Sequence, residues 1–242
     1  MLLQGVKKHF LVLREWNDLP DFMKVPEVLP YYKILDQKRA SIVIKRVFDI
    51  SMASVLLALL LLPMVGIGVL IKLDSRGPIF YRQERITAYG KRFRVHKFRT
   101  MVDRADQIGS SVTVKKDSRI TKVGLVLRKY RLDELPQLLD IIGGDMSFVG
   151  TRPEVARYVK HYSPEMRATL LMPAGVTSEA SIRYKDESRL LDVAEDVDTV
   201  YVEKILPAKM MWNLESIRKF GLLRELFTCI RTIIAVMGKD CT

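Results

Sequence analysis

The sequence predicts an α+β fold, mostly helical with short strands, in which a helix near the N-terminus dips into a membrane and amphipathic helices lie at the interface. Three observations carry this expectation. Residues 50–71 are 22 residues without a charge. Between Ile79 and Phe98, two short runs of strand character are separated by a turn. Beyond Ile120, apolar residues recur mainly at helical spacing.

Composition narrows the class. The 242 residues are ample for a core, and 13 Gly, 10 Pro and 2 Cys exclude a collagen, a low-complexity chain and a disulfide scaffold. Cys229 and Cys241 have no metal spacing, and His9, His96 and His161 are scattered, so no zinc site is visible and a reducing compartment is the default. A mean hydropathy of +0.06 accompanies a net charge of +12. That charge is concentrated: residues 74–132 hold 16 Lys/Arg against 5 Asp/Glu, whereas residues 133–242 hold 14 against 17. A basic block beside an apolar segment points to anionic partners, either phospholipid head groups or nucleotide phosphates.

In chain order, residues 1–40 read as an extension interrupted by Pro20, Pro26 and Pro30. Residues 41–73 carry the membrane helix. As a helix, the uncharged run is ~33 Å long, enough for a hydrocarbon core of ~30 Å. Its Leu, Val and Ile residues show no amphipathic spacing, which disfavours a buried soluble helix. A spanning helix should have unequal positive flanks, yet residues 30–49 and 72–91 each carry five Lys/Arg. Pro63 removes a backbone hydrogen bond near the middle. Equal flanks and a central break fit a re-entrant helix, with a kinked span as the alternative.

Residues 74–206 form the central domain. Asp74–Pro78 reads as a turn, Ile79–Gln83 as a strand, Tyr89–Lys91 as a turn and Phe93–Phe98 as a half-exposed strand. Residues 207–242 read as two helices separated near Gly221. In the second, Leu222, Leu223, Leu226, Phe227, Ile230, Ile233, Ile234 and Met237 share one side, with Arg224, Glu225 and Arg231 on the other. Such a face packs either on a core or on a bilayer.

The sharpest local feature is Tyr130–Leu139, which contains Asp133-Glu134 directly after Arg128, Lys129 and Arg131. Asp133 is placed to act as an N-cap, with Pro136 in the first turn and a stop at Gly143-Gly144. A carboxylate at a helix N-terminus beside cations is expected to stay ionised. Such a group can attack a phosphoanhydride, with the neighbouring Glu available to a metal ion or a proton. Further on, Thr151 and Glu154 have capping-box spacing, which would put Arg152 at a helix N-terminus suited to a phosphate.

Taken in order, Lys45-Arg46-x-x-Asp49, Gly77-Pro78-x-Phe80-x-x-Gln83-x-Arg85, Lys97-Phe98-Arg99-Thr100-Met101, Leu132–Gln137 and Gly144–Pro153 resemble the monotopic phosphoglycosyl transferases, a family of bacterial sugar transferases. The resemblance covers residues 42–238 and is to the minimal members. It implies transfer of a phosphosugar from a nucleotide-sugar, usually a UDP-sugar, to membrane polyprenol phosphate, with release of the nucleoside monophosphate. It implies Asp133 as nucleophile and Glu134 as its partner, the two serving Mg2+. Substrate contacts fall to Lys97, Arg99, Asp145, Arg152, Arg183 and Lys185, with Arg152 and Lys97 as the phosphate contacts. Location is implied at the cytoplasmic face of a bacterial inner membrane, in contact with phospholipid, and a homodimer is compatible with it. Leu62-Pro63 stands where many members have Ser-Pro, Thr151 replaces a frequent Pro, and residues 173–180 lack a frequent Trp and Gln, so sugar and base specificity do not carry over. The rival is a membrane-anchored protein binding anionic lipid or nucleic acid. For nucleic acid the basic block carries no recognised motif, so none is expected as a partner.

Overall fold

The computed structural model describes residues 13–105, 117–184 and 197–237. Residues 13–38 are packed, although their prolines leave room for only short elements. Two single turns, Trp16–Asp18 and Asp21–Met23, lead into helix α1, Leu29–Asp36, which takes Pro30 in its first turn. Leu19, Met23, Val28, Tyr31 and Leu35 are buried in the largest core cluster, against Leu171, Ile205, Leu206, Met210 and Leu214. The part of the extension that is described is thus core-forming.

Helix α2, Arg39–Asp74, is a single helix of 36 residues with Pro63 inside it. The break expected at Pro63 does not end it. A proline forfeits one intrahelical bond, and the turns on either side are held by packing. Ile42, Lys45, Arg46, Asp49, Ala53, Met64, Gly68 and Ile71 are buried. Leu56, Leu57, Leu60 and Ile67 join them part-buried. This i, i+3/i+4 stripe runs the length of the helix. The opposite face stays bare, with Val55 55%, Leu59 69%, Leu62 81%, Val65 57% and Leu73 79% exposed. The amphipathic spacing is invisible in the sequence because both faces are apolar. Candidate spans by length and composition number one among the described residues, and this is it.

Strands β1 (Phe80–Ile86) and β2 (Arg92–Phe98) form an antiparallel hairpin in which Tyr81 faces Lys97 and Arg82 faces His96. Helix α3, Lys122–Lys129, is capped by the Thr121 hydroxyl, which accepts from Gly124 N–H at 3.0 Å, while Asp74 at the end of α2 accepts from Val123 N–H at 2.9 Å. Helix α4, Gln137–Gly143, stops as expected at Gly144, which has φ 89°. Arg46 of α2 covers its last carbonyls, donating to Ile141 O at 2.7 Å and Ile142 O at 3.2 Å.

Strands β3 (Met146–Val149) and β4 (Ala174–Thr177) form a parallel pair, an exception to the helical spacing that prevails beyond Ile120. Their backbones meet at two glycines. A Cβ on Gly175 would lie 2.2 Å from Gly150 N, and one on Gly150 would lie 2.6 Å from Pro173 O. The one-turn helix α5 (Ala156–Val159) and the short helix α6 (Glu179–Arg183) follow these strands. Helix α7 (Val197–Val200) leads through a wide turn into α8 (Leu206–Arg218), and α9 (Leu222–Met237) ends the described chain.

The two tail helices behave differently. Leu206, Met210, Leu214 and Ile217 bury α8 in the largest core, so it is not interfacial. In α9 the polar side faces the protein: Glu225 pairs with Lys45 at 2.7 Å, and Thr232 bonds to Thr177 at 2.7 Å. Leu223 (74% exposed), Phe227 (63%) and Ile234 (63%) point away. This overturns the core-facing alternative for that helix.

Candidate active site

Asp133 and Glu134 lie in a 3-10 turn, Leu132–Glu134, that Arg131 enters with φ 58°. Asp133 is therefore not the N-cap of α4, which starts four residues later with no side-chain cap. The turn packs against β2. Along that strand, the alternation that buries Phe93 and Val95 puts Lys97 on the same face, so a lysine enters the interior. Its ammonium donates to Glu134 Oε1 at 2.8 Å, and Arg152 Nη2 donates to the same oxygen at 2.6 Å. Glu134 is 11% exposed and is held by two cations.

These contacts set the protonation states. Burial opposes the charge on Glu134, but Arg152 and Lys97 outweigh it and hold the carboxyl well below the ordinary range. Burial and then Arg152 push the Lys97 ammonium down, against the pull of Glu134. Burial and the Glu134 charge push Asp133 up, against Lys97 and Arg128. The expectation that Asp133 is held in its charged form by a helix end is corrected: it has lost water and gained an anionic neighbour. Lys97 and Arg128 supply the opposing attraction.

Arg152 does not sit at a helix N-terminus. Residues 151–155 are extended or irregular, and α5 begins at Ala156 with Val155 as its cap. The expected capping box fails because Glu154 turns inward, accepting from Tyr201 Oη at 2.6 Å. Arg152 is instead delivered by the loop after β3, and Arg85 braces that loop by donating to Pro153 O at 3.2 Å.

The predicted contacts divide. Lys97, Arg152, Asp133 and Glu134 come together. Arg99 is tied to the turn after α2, donating to Ser75 O at 2.7 Å. Asp145 pairs with Lys91 at 2.5 Å, and its carbonyl accepts from Thr87 Oγ1. Arg183 pairs with Glu179 at 2.8 Å and stacks on Trp212, 3.8 Å from the ring centroid. Lys185 lies outside the described residues. Three residues were missed. Arg128 acts on Asp133 and donates to Thr100 Oγ1 at 2.9 Å. Arg85 stands beside Arg152. Asp140 of α4 accepts from both His96 N (2.9 Å) and His96 Nδ1 (2.6 Å), locking the strand that carries Lys97. Arg85 was quoted in a motif and Arg128 in the basic run, so order along the chain offered a signal; for Asp140 there was none.

Beside Glu134 and Arg152 lies a cavity of about 290 Å³. Lys129 and Arg131 stand at its charged end, Leu56 and Leu60 of α2 form one wall, and Ala235 of α9 lies opposite. Among the described residues no cluster of three or more His, Cys, Asp or Glu encloses an ion. Of the acid pair, Glu134 is taken up by Lys97 and Arg152 while Asp133 has no side-chain ion pair among the described residues, which leaves one carboxylate suited to a hard cation.

An acid pair set in a ring of cations, at the side of a helix whose outer face is apolar, is an arrangement suited to phosphate groups. The chain belongs to the bacterial sugar transferase family, whose model matches residues 40–239, and within it to the polyprenyl-phosphate phosphoglycosyl transferases. It is 41% identical over 201 residues to a UDP-N-acetylgalactosamine-undecaprenyl-phosphate N-acetylgalactosaminephosphotransferase of Aeromonas hydrophila, covering 81% of this chain and 44% of that protein. It is 33% identical over 199 residues to a UDP-glucose:undecaprenyl-phosphate glucose-1-phosphate transferase of Caulobacter vibrioides, covering 81% of this chain and 70% of that protein. A transferase of the same description from Escherichia coli is 34% identical over 169 residues, with 66% of this chain and 36% of that protein covered. The chain thus spans less than half of the Aeromonas and Escherichia relatives.

Proposed function

We propose that the protein transfers a sugar 1-phosphate from a UDP-sugar to a membrane polyprenol phosphate, releasing UMP, through a covalent intermediate on Asp133. The observation that carries this reading is the division of labour in the acid pair. Glu134 is held ionised by Lys97 and Arg152, whereas Asp133 has no side-chain partner among the described residues. A carboxylate so placed attacks the β-phosphorus: a bond forms between its oxygen and phosphorus, and the bridging bond to UMP breaks. The acceptor phosphate then attacks the same phosphorus, the bond to Asp133 breaks, and the carboxylate returns. Lys97, Arg152, Arg85 and Arg128 hold the phosphate oxygens and stabilise their charge in each step. Glu134 keeps Lys97 and Arg152 in place and prevents the cations from spreading. Asp133 would hold Mg2+ with the diphosphate, and the ion would draw charge from the phosphoryl oxygens when bound.

The cavity between α2 and α9 suits the acceptor, with apolar walls for a prenyl chain and Lys129, Arg131 and Arg152 for its phosphate. Both ends of α2 dock on one body, through Asp49 to Ser147 (2.7 Å) and through Asp74 to Val123 (2.9 Å). That supports a re-entrant helix over a span, with the bare faces of α2 and α9 in the cytoplasmic leaflet.

The test is UMP release from a panel of UDP-sugars with polyprenol phosphate and Mg2+, with D133N as control. UMP release by the parent and none by D133N is expected; normal turnover by D133N overturns the nucleophile. For topology, cysteines placed by F10C and S110C should label from the same side, and labels from opposite sides refute re-entry.

A further inference from the structure

The geometry points to a second ligand pocket, across β3 from the acceptor cavity, that takes the nucleoside of the donor. This inference rests on the donor proposed above. A cavity of about 570 Å³, in the size range of small-molecule sites, lies between α6, α8 and α9. Phe148 lines the acceptor cavity and Val149 lines this one, as successive residues of a strand face opposite ways. Neighbouring residues of the loop after β3 line the two cavities, Thr151 the larger and Arg152 the smaller. Because β3 and β4 are parallel, their C-terminal ends form one edge, the usual place for a ligand to straddle. A diphosphate gripped by Arg152 thus has room for its nucleoside around that edge.

The walls suit a planar, hydrogen-bonding ring. Trp212 of α8 and the guanidinium of Arg183 form a stacked platform, with Glu179 fixing the guanidinium at 2.8 Å. Bases stack on such platforms with little regard to sequence. Asn213, beside Trp212, is 5% exposed and lines the cavity. Its one hydrogen bond among the described residues is a weak one, to Met210 Sδ at 3.7 Å. Buried carboxamides are as a rule well bonded. This one keeps an acceptor and a donor for the imide edge of a pyrimidine.

W16F leaves Trp212 as the sole tryptophan of the two in the chain, and Trp16 packs on Tyr32, outside both cavities. Titrating the W16F protein with UMP should quench its fluorescence saturably, whereas a sugar 1-phosphate or polyprenol phosphate should not. In turnover, W212L and N213L should each raise the donor KM about tenfold or more, the size of a lost stacking or pairing contact. The acceptor KM should stay within about twofold. An active parent whose Trp212 ignores UMP, or variants in which the acceptor KM moves instead, overturn the pocket and leave the reaction standing. A parent that releases no nucleotide from any UDP-sugar overturns the reaction itself. Should W212L fail to fold, the UMP titration on the folded W16F protein still decides.

Discussion

Two clusters of buried charge serve this molecule in opposite ways. At the root of α2, Lys45 pairs with Glu225 at 2.7 Å and Asp49 at 3.5 Å, and Asp49 accepts from Ser147 at 2.7 Å. These groups join three elements, α2, β3 and α9. At the acid pair, Lys97 and Arg152 both close on Glu134, beside a cavity, and among the described residues Asp133 has no side-chain ion pair. The first cluster spends its charges on one another and holds an apolar-faced helix in place. The second holds one acid in place so that another is free. Pairing is the mark of architecture, and the unpaired member of a paired set is the mark of chemistry.

The comparison is broken most directly at Asp133. D133N should lower turnover by about three orders of magnitude or more, while thermal unfolding shifts slightly upward. The sign follows from the raised carboxyl: the fold disfavours its charge, so removing that charge at neutral pH removes a cost. K45M should do the reverse. It leaves Glu225 and Asp49 buried without their cation, at a cost of about 3 kcal/mol or more, while kcat of the folded fraction at saturating donor stays near that of the parent, since Lys45 lines the nucleoside cavity but lies apart from the acid pair. Denaturant melts and turnover together read the contrast. A K45M protein that melts like the parent would show that the root cluster holds nothing.

Next in size is R152K, which keeps the charge but loses the planar fork. A tenfold to hundredfold fall in kcat/KM, roughly, is expected. The pH dependence sharpens the comparison further. With Asp133 acting ionised, kcat/KM should climb through a limb above the ordinary carboxylate range. K97M removes an attraction and should move that limb to higher pH; E134Q removes a repulsion and should move it lower. Shifts in the same direction would refute the charge environment described. The smallest effect concerns the bare face of α9. I233S and I234S should each weaken binding to anionic vesicles by about 1–2 kcal/mol of lost apolar burial, with unchanged melting.

Much of this was legible in order along the chain. The hairpin, the stop at Gly144 and the split of the tail follow from alternation, glycine and helical spacing. Strands β3 and β4 were not legible because each has four residues with both faces covered, so no alternation shows. The two-faced packing of α2 was hidden because protein and bilayer ask for the same side chains. At the site, Lys97 and Arg152 were identifiable from their motifs, but the protonation of Asp133 was not. It depends on burial and on a neighbour's charge, which a string of residues does not state. The capping box at Thr151–Glu154 was a plausible local solution, overridden by the buried partner that Tyr201 offers to Glu154.

The contact between Gly150 and Gly175 limits how this enzyme can change. With each Cβ position already filled by backbone across the pair, neither site admits a side chain, and the strand ends that present Thr151 and Arg152 are tied by Gly150 N–H to Thr177 O at 3.0 Å and Gly175 N–H to Thr151 O at 2.9 Å. Residues one step outward, in α6 and along α8, are under no such restriction. Selection for a new donor could therefore rewrite the walls around the strand ends again and again, while the spacing between phosphate grip and nucleophile passes unaltered from one specificity to the next.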